Sequence, residues 1–328
     1  MEKEKQGSFA DDLANRENRS NRTARFLGRL SEVVDFEAIA GELAAAYPAK
    51  TGRTPHDALL LFKMTLLQHF YSMSDPECEA QVADRRSFQE FCGLGLMDKV
   101  PDETTLVRFR RRLIAHGLHE RLLGMVNAQL EARGLMIKAV TLVDATLIES
   151  ARRKPSQQEI AERKATGSGK AAEEPLADYA TKGGRAYYGY KAHIAADEEH
   201  TLIRRAELSA ASVHDSRKFQ AICPSDTEMA IGDKAYFSAA HEAWLEERGI
   251  HSGLMEPARR NHPLSDEQRE VNGWLASTRA AIERIFGHWK RLLHWRRLRY
   301  VGIAKGTLEL QLKSIVWNLK RLVNLTPA

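Results

Sequence analysis

Hydrophobic residues recur at the spacing of amphipathic helices along the first third of the chain. Apolar positions three and four residues apart predict helices over residues 25–46, 56–71, from 74 onward, 103–116 and 118–133. Ser74 and Asp102 are residue types expected at helix N-caps, and Gly117 and Gly134 are the type expected just after a helix. We therefore predict an all-helical domain over residues 25–134, preceded by a polar, mobile arm over residues 1–24.

After residue 134 the pattern changes to short, nearly continuous apolar runs. Residues 136–148 are mostly β-branched and apolar, which is typical of a buried strand. Further strands are predicted at residues 187–196, 201–209, 228–232 and 250–255, and helices at 213–222, 237–248, from about 267 and at 305–325. This order predicts an α/β (α+β) domain over residues 135–304 and a C-terminal helix, residues 305–328, packed on it. The polar stretch 151–185 is predicted to be a flexible insertion, disordered without a ligand.

Composition narrows the class of protein. The chain has 328 residues and a formal net charge of +5, and a basic balance favours nucleic acid or another anionic partner. Cys78, Cys92 and Cys223 are scattered and lack the spacing of a disulfide framework or a zinc site. The N-terminus has no apolar signal segment and no apolar run is long enough to cross a bilayer. We expect a cytoplasmic protein.

Three acidic residues occupy unusual positions in the predicted α/β domain. Asp144 falls inside the first strand, Asp233 ends the fourth, and Glu283 lies on the helix that begins near residue 267. A carboxylate in a core strand is costly unless it is paired or bound to a cation. Each acid also has an ordinary alternative: Asp144 as a hydrogen-bond acceptor, Asp233 as a helix cap, Glu283 as an ion-pair partner of Arg279. Three convergent acids in a basic domain favour a shared Mg²⁺ site.

The helix with Glu283 also carries a line of cations. Arg279, Glu283, Gly287 and Lys290 recur at helical spacing along one face, so one carboxylate stands between two cations. Further cations without an acid among them follow along this helix and after it: Arg284, Arg291, Arg296, Arg297 and Arg299. A metal ligand held against a polyanion fits this pattern. The alternative is an i,i+4 ion pair on a solvated basic helix.

A second basic helix lies in the predicted helical domain. The helix after Asp102 carries four arginines against an apolar face: Arg108, Arg110, Arg111 and Arg112. It is predicted to be the DNA-facing member of a helix-turn-helix-like pair. The alternative is an amphipathic helix whose arginines are merely solvated.

Five motifs together resemble the DDE transposases of bacterial insertion sequences, specifically the InsH-type family. They are Leu142-Val-Asp-Ala-Thr-Leu-Ile-Glu149, Gly189-Tyr-Lys-Ala-His193, His214-Asp-Ser216, Gly232-Asp-Lys-Ala-Tyr236 and the Arg279, Glu283, Lys290 spacing. The resemblance covers residues 25–322. It implies an RNase H-like catalytic domain in which Asp144, Asp233 and Glu283 are the metal-binding triad. The tyrosine that related transposases have before the arginine is Ala276 here.

The resemblance also implies a mechanism and partners. Two Mg²⁺ ions, for which Mn²⁺ should substitute, would support strand cleavage and strand transfer on DNA. Arg279 and Lys290 would contact phosphates near the cleaved bond, with Lys191 and His214 as supporting or DNA-contacting groups, unless Lys191 merely points outward and His214 caps a helix. The helical domain and the basic residues Arg152, Arg153 and Lys154 would bind the terminal inverted repeats. The helical domain would also serve dimerisation.

The protein must hold two DNA ends, so we expect a homodimer or higher oligomer that is associated with the bacterial nucleoid. Two other functions stay open at this point. One is a metal-dependent nuclease that cuts DNA without joining strands. The other is a transposase-derived, non-catalytic DNA-binding regulator. The presence of all three acids disfavours the regulator.

Overall fold

The computed structural model describes residues 21–45, 56–166, 176–258 and 263–327. The chain divides into two compact units. One comprises the chain up to Gln129 together with Leu319–Ala328, and the other comprises Leu130–Asn318. Most of the predicted mobile arm lies outside the described residues, but residues 22–24 already belong to the first helix.

The first unit is helical, as predicted. Its described helices are α1 (Arg22–Val33), α2 (Phe36–Ala45), α3 (Ala58–Phe70), α4 (Asp75–Asp84), α5 (Arg86–Cys92), α6 (Glu103–Ala115) and α7 (Leu118–Ala132). Ser74 Oγ accepts a hydrogen bond from Glu77 N at 3.3 Å and Asp102 Oδ1 accepts one from Thr105 N at 2.7 Å, so both predicted N-caps are confirmed. The single helix expected over residues 25–46 is two helices, α1 and α2.

The four arginines predicted along one basic helix, α6, do not share one environment. Arg108, Arg111 and Arg112 are exposed. Arg110 is only 5% exposed, and its guanidinium lies 2.5 Å from the carboxylate of Asp75. A buried arginine needs such a partner, because an unpaired charge in the interior costs several kcal/mol. Arg110 therefore pairs inside the helical unit, and Arg108, Arg111 and Arg112 stay the predicted DNA contacts.

The second unit is built on a six-stranded sheet. Its strands are β1 (Val140–Glu149), β2 (Asp178–Lys182), β3 (Arg185–Asp197), β4 (Ile203–Ala210), β5 (Met229–Gly232) and β6 (His251–Leu254). Its described helices are α8 (Gln157–Thr166), α9 (Phe219–Ile222), α10 (Ala239–Glu246), α11 (Asp266–Arg291) and α12 (Ile303–Leu325), and a 3₁₀ turn (Asp215–Lys218) precedes α9.

The strand order is β4–β3–β1–β5–β6, and β2 extends the sheet by pairing with the first part of β3. β1, β3 and β4 are antiparallel, whereas β1, β5 and β6 are parallel. A meander of three antiparallel strands joined to two parallel strands is an RNase H-like arrangement, so the predicted fold class is confirmed.

β1 is the central strand and is covered on both faces. Leu142 and Ile148 belong to a core with the apolar side of α11, whereas Val143 belongs to a separate core with Phe219 and Tyr236. Burial on both faces explains why β1 reads as a continuous apolar run. The first part of α12 also contributes to the core on the α11 side; its residues from Leu319 onward belong to the helical unit.

Part of the insertion predicted to be disordered has regular structure. Its described residues include α8 and the hairpin formed by β2 and β3. Gly183 and Gly184 form the turn with φ of +57° and +74°, the left-handed pair that favours a two-residue hairpin. The strands pair up to Lys182 and Arg185, so these two residues flank the turn.

Gly189, the residue at the end of this hairpin, lies against β1. A Cβ there would lie 2.3 Å from the carbonyl oxygen of Ile148. Only glycine permits this approach, which explains one residue of the Gly189-Tyr-Lys-Ala-His193 motif.

Among the described helices, none combines the length and apolarity that a bilayer crossing requires.

Candidate active site

Two acidic residues are brought together by the parallel pairing of β1 and β5. Val143 pairs with Gly232, so Asp144 and Asp233 are the next residues along the two neighbouring strands. The Asp233 Oδ1 atom accepts a hydrogen bond from Ala235 N at 2.9 Å, which orients its carboxylate in the turn after β5. The sequence prediction placed both acids at strand positions, and the register makes them neighbours.

The side chain of Asp144 is only 15% exposed. Burial raises the pKa of its carboxyl from 3.8 to about 6; Arg279 and the backbone N–H of Ala145 lower it, while the Asp233 carboxylate raises it further. Desolvation of a charge and repulsion by a like charge both favour the protonated form. A bound cation would relieve both costs.

Glu283 reaches this pair through an arginine. On α11, Arg279 lies one turn before Glu283, and its guanidinium donates to Asp144 Oδ2 at 2.5 Å and to Glu283 Oε1 at 3.1 Å. The expected i,i+4 ion pair between Arg279 and Glu283 is present, and the contact with Asp144 adds a partner from β1. Glu283 is the most exposed of these groups, with 61% of its side chain accessible.

Lys290 is two turns beyond Glu283 on the same helix. Its Nζ atom donates to Thr146 Oγ1 at 2.5 Å, and Thr146 lies two residues after Asp144 on β1, on the same face of the sheet. Burial lowers the pKa of the Lys290 ammonium, and the nearby charges of Lys182 and Arg296 lower it further. The charges of Lys182 and Arg296 thus both act on Lys290. Arg284 and Arg291 are exposed on the same helix.

Lys191 lies on the other face of the sheet. It pairs with Leu147, which alternates with Thr146 and faces away from α11. Its ammonium contacts Asp215 Oδ1 at 2.9 Å and donates to Val213 O at 2.9 Å. Its described contacts are therefore structural.

His214 is exposed at the end of the loop before the 3₁₀ turn. Its Nδ1 atom lies 2.8 Å from Ser216 Oγ and accepts from Ser216 N at 3.4 Å, so it caps that turn. Helix capping was the alternative role considered for this residue. The structure does not bring His214 into contact with the three acids.

Tyr236 is a buried group that the motif contained but sequence analysis did not interpret. Its ring packs against Gly232, and its hydroxyl has no hydrogen-bond partner within the part of the chain that the structure describes. Burial raises its pKa well above the usual value, as do the carboxylates of Asp144, Asp215 and Asp233. The phenol therefore lies behind the acid pair as a neutral group.

The basic residues predicted to bind DNA elsewhere are on the surface of their own units. Arg152, Arg153 and Lys154 are exposed. Arg153 pairs with Glu159 at 2.7 Å, and the ammonium of Lys154 lies 5.2 Å from the centre of the Tyr179 ring. In the helical unit, Arg108, Arg111 and Arg112 present their charges on one helix.

The chemistry of the acid site fits a hard divalent cation. Its donors are carboxylate oxygens, one of them buried beside a second carboxylate, and Mg²⁺ prefers such ligands. Within the described ranges, no three His, Cys, Asp or Glu side chains are close enough together to hold an ion. Arg279 lies between Asp144 and Glu283 and supplies the positive charge there. Asp144 and Asp233 would hold the ion, with Glu283 joining once Arg279 moves.

Two sequence families match this chain. The family described as Transposase DDE domain matches residues 136–319, more than half of the chain, and the family described as Transposase domain (DUF772) matches residues 12–112. The chain therefore belongs to the DDE transposases, of the insertion-sequence type, as the motifs predicted. Membership implies an enzyme of DNA phosphoryl transfer, and the family generally depends on divalent metal ions. The narrower InsH-type assignment stays a prediction.

A solved structure of the piggyBac transposase synaptic complex with hairpin DNA is similar at 10% identity and a TM-score of 0.39, covering 96% of this chain and 78% of that chain. At this level of similarity, it supports no statement about the site.

Proposed function

We propose that the protein binds the terminal inverted repeats of its insertion sequence and catalyses metal-dependent cleavage and transfer of DNA strands. The observation that carries this proposal is the adjacency of Asp144 and Asp233 on parallel strands, with Glu283 linked to Asp144 through Arg279. Two acids from distant parts of the sequence that share one cation partner, with a third acid beside the first, are hard to explain by structural roles alone.

In this proposal, Asp144, Asp233 and Glu283 hold two Mg²⁺ ions, with Mn²⁺ as a substitute. The bound ions would polarise the attacking water or 3′-hydroxyl and stabilise charge on the leaving oxygen. The protein's own contribution is to keep Asp144 in a buried, preorganised position on β1. The neutral Tyr236 behind it excludes water without adding charge.

Cationic side chains of α11 would hold the DNA. Arg279 would be free to pair with a phosphate if a cation occupied the acids, and Thr146 holds Lys290 on the face of β1 that carries Asp144. Arg284 and Arg291 would extend this contact along the backbone, and the exposed Arg108, Arg111 and Arg112 would bind the repeats from the helical unit.

Lys191 and His214 have structural roles in this proposal rather than DNA contacts, since their described partners are Asp215 and Ser216 in the turn before α9. Two copies of the chain, one for each DNA end, complete the proposed assembly.

Ala276 leaves a small side chain one turn before Arg279, where related transposases have tyrosine. It should weaken the hold on the transferred strand without affecting the acids.

Strand transfer distinguishes this proposal from the nuclease alternative. Pre-cut repeat ends are incubated with a supercoiled target plasmid, Mg²⁺ and wild-type protein, and joined products are measured by gel. We expect joined products that disappear with Asp144→Asn and with Asp233→Asn. Cutting of uncut ends without any joining would instead favour the nuclease, and repeat binding without either reaction would favour the regulator.

A further inference from the structure

The hairpin formed by β2 and β3 brings an additional cation toward the acid site. The residues around its turn, Lys182 to Arg185, are all exposed. The hairpin extends past the end of β1 at Glu149, because β1 pairs with β3 only as far as Gly189. Even so, Arg185 Nη2 lies 3.6 Å from Glu149 Oε1. The turn side of the hairpin is therefore tied to the end of β1 by an ion pair.

The end of β1 is a meeting point of three segments. Glu149 also contacts Arg297 at 3.1 Å, and its N–H donates to the carbonyl of Arg296 at 2.9 Å, so the chain after α11 is fixed beside the hairpin. Tyr179 of β2 packs with Tyr188 of β3 at 5.1 Å between ring centres, and both contact the core beneath α11. The hairpin is thereby anchored by packing and by ion pairs.

Lys182 differs from its neighbour Arg185 in having no acid for a partner. In the described part of the chain, the side chain of Lys182 makes no ion pair or hydrogen bond, whereas the side chain of Arg185 pairs with Glu149. Its charge nevertheless acts on two groups of the acid site, because it is among the charges that lower the pKa of Asp144 and of Lys290. Lys182 and Arg296 thus both repel the Lys290 ammonium, and Lys182 also attracts the Asp144 carboxylate.

We propose that Lys182 is a DNA-phosphate ligand of the active site, supplied by the β2–β3 hairpin, and that it binds a phosphate next to the cleaved bond together with Lys290. The repulsion that Lys182 and Arg296 exert on Lys290 is relieved when a polyanion enters, since each new phosphate contact offsets like-charge repulsion. The hairpin's anchoring fixes where that contact is made. This inference rests on the proposed function of the site.

The test compares three variants on repeat DNA. Lys182→Ala removes the proposed contact, Lys182→Arg keeps the charge, and Lys138→Ala removes the same charge from a lysine already paired with Asp226 and Glu131. Binding is measured in EDTA by fluorescence anisotropy over a range of salt concentrations, and cleavage is measured separately with Mg²⁺. Thermal melts confirm that the exposed substitutions leave the fold intact.

We expect Lys182→Ala to bind more weakly and to lose about 0.9 from the slope of log affinity against log salt, which is one phosphate contact. The ratio of the wild-type affinity to the Lys182→Ala affinity should therefore fall about threefold between 50 and 200 mM salt. Lys182→Arg should restore the slope and Lys138→Ala should leave it unchanged. A neutral methylphosphonate at the partner phosphate should weaken wild type but not Lys182→Ala.

Two failures are distinguishable. If wild type binds and cuts repeat DNA while Lys182→Ala matches Lys138→Ala in slope and cleavage, the lysine is merely solvated, and this inference is overturned while the proposed function stands. If wild type neither binds nor cuts repeat DNA, the proposed function falls and this inference falls with it.

Discussion

Neutralising Asp144 should stabilise the metal-free protein while abolishing its activity. The carboxyl is buried beside Asp233, and burial is the main reason that its pKa is raised from 3.8 to about 6. Protonation of the Asp144 carboxyl therefore stabilises the folded state. This stabilisation is complete below a pH of about 3.8 and is lost as the pH rises through about 6. At pH 7.5 the ionised carboxylate works against folding, and Asp144→Asn removes that cost.

The expected magnitude follows from the shift. A pKa raised from 3.8 to about 6 corresponds to about 3 kcal/mol between the two protonation states. For a unit of this size, that is a rise in melting temperature of roughly 6–12 °C. Thermal and urea unfolding of wild type and Asp144→Asn in EDTA, at pH 4 and at pH 7.5, measure it. The gain should appear at pH 7.5 and be nearly absent at pH 4.

Glu283→Gln is the matched control, because it removes the other carboxylate that contacts Arg279. Its side chain is 61% exposed, so the stability should change by no more than about 0.5 kcal/mol. A destabilised Asp144→Asn, or an equal gain from both variants, would show that burial of Asp144 does not strain the fold.

Other substitutions test separate parts of the structure. Gly189→Ala should cost more than about 2 kcal/mol in urea unfolding, because its Cβ meets the backbone of β1, whereas Gly287→Ala has open space and should be neutral or slightly stabilising. Arg110→Ala should destabilise the helical unit by about 1–3 kcal/mol, since it removes the cation that pairs with the partly buried Asp75. Arg111→Ala should leave the free energy of unfolding unchanged. It should weaken repeat binding by one phosphate contact, measured as a smaller slope of log affinity against log salt concentration. A destabilised Gly287→Ala, a stable Arg110→Ala or an unaltered slope would each contradict its assignment.

Much of the site could be predicted because strand and helix periodicities are local. The apolar run around Asp144 predicts a buried strand, and a carboxylate inside it has few explanations. Asp233 directly follows a short strand, and Glu283 lies on a helix with a clear apolar stripe. The strand register, which makes Asp144 and Asp233 neighbours, supplies the step that a single sequence does not contain.

Long-range partners escaped prediction. Arg279 pairs with Glu283 four residues away, which spacing predicts, but its contact with Asp144 joins residues 135 positions apart. Arg110 is buried only because Asp75 neutralises it, again through tertiary packing. In both cases the helical pattern predicts on which face of the helix the arginine lies. It does not predict which residue of another element contacts that arginine.

The insertion shows a different limit. Its polar composition predicts disorder, yet β2 needs little apolar surface of its own, because its backbone pairs with β3. Gly183-Gly184 between Tyr179 and Tyr187 was the available indication of a hairpin. Without that hairpin, Lys182 could not be assigned to the site.

The most direct test of the account is cleavage of end-labelled DNA carrying the flanking inverted repeats by wild type and Glu283→Gln, with Mg²⁺ or with EDTA. We predict cutting at the repeat ends by wild type with Mg²⁺ only, and no cutting by Glu283→Gln although this variant still binds the repeats. Cutting that persists in EDTA, or in Glu283→Gln with Mg²⁺, would contradict a metal site built from Asp144, Asp233 and Glu283.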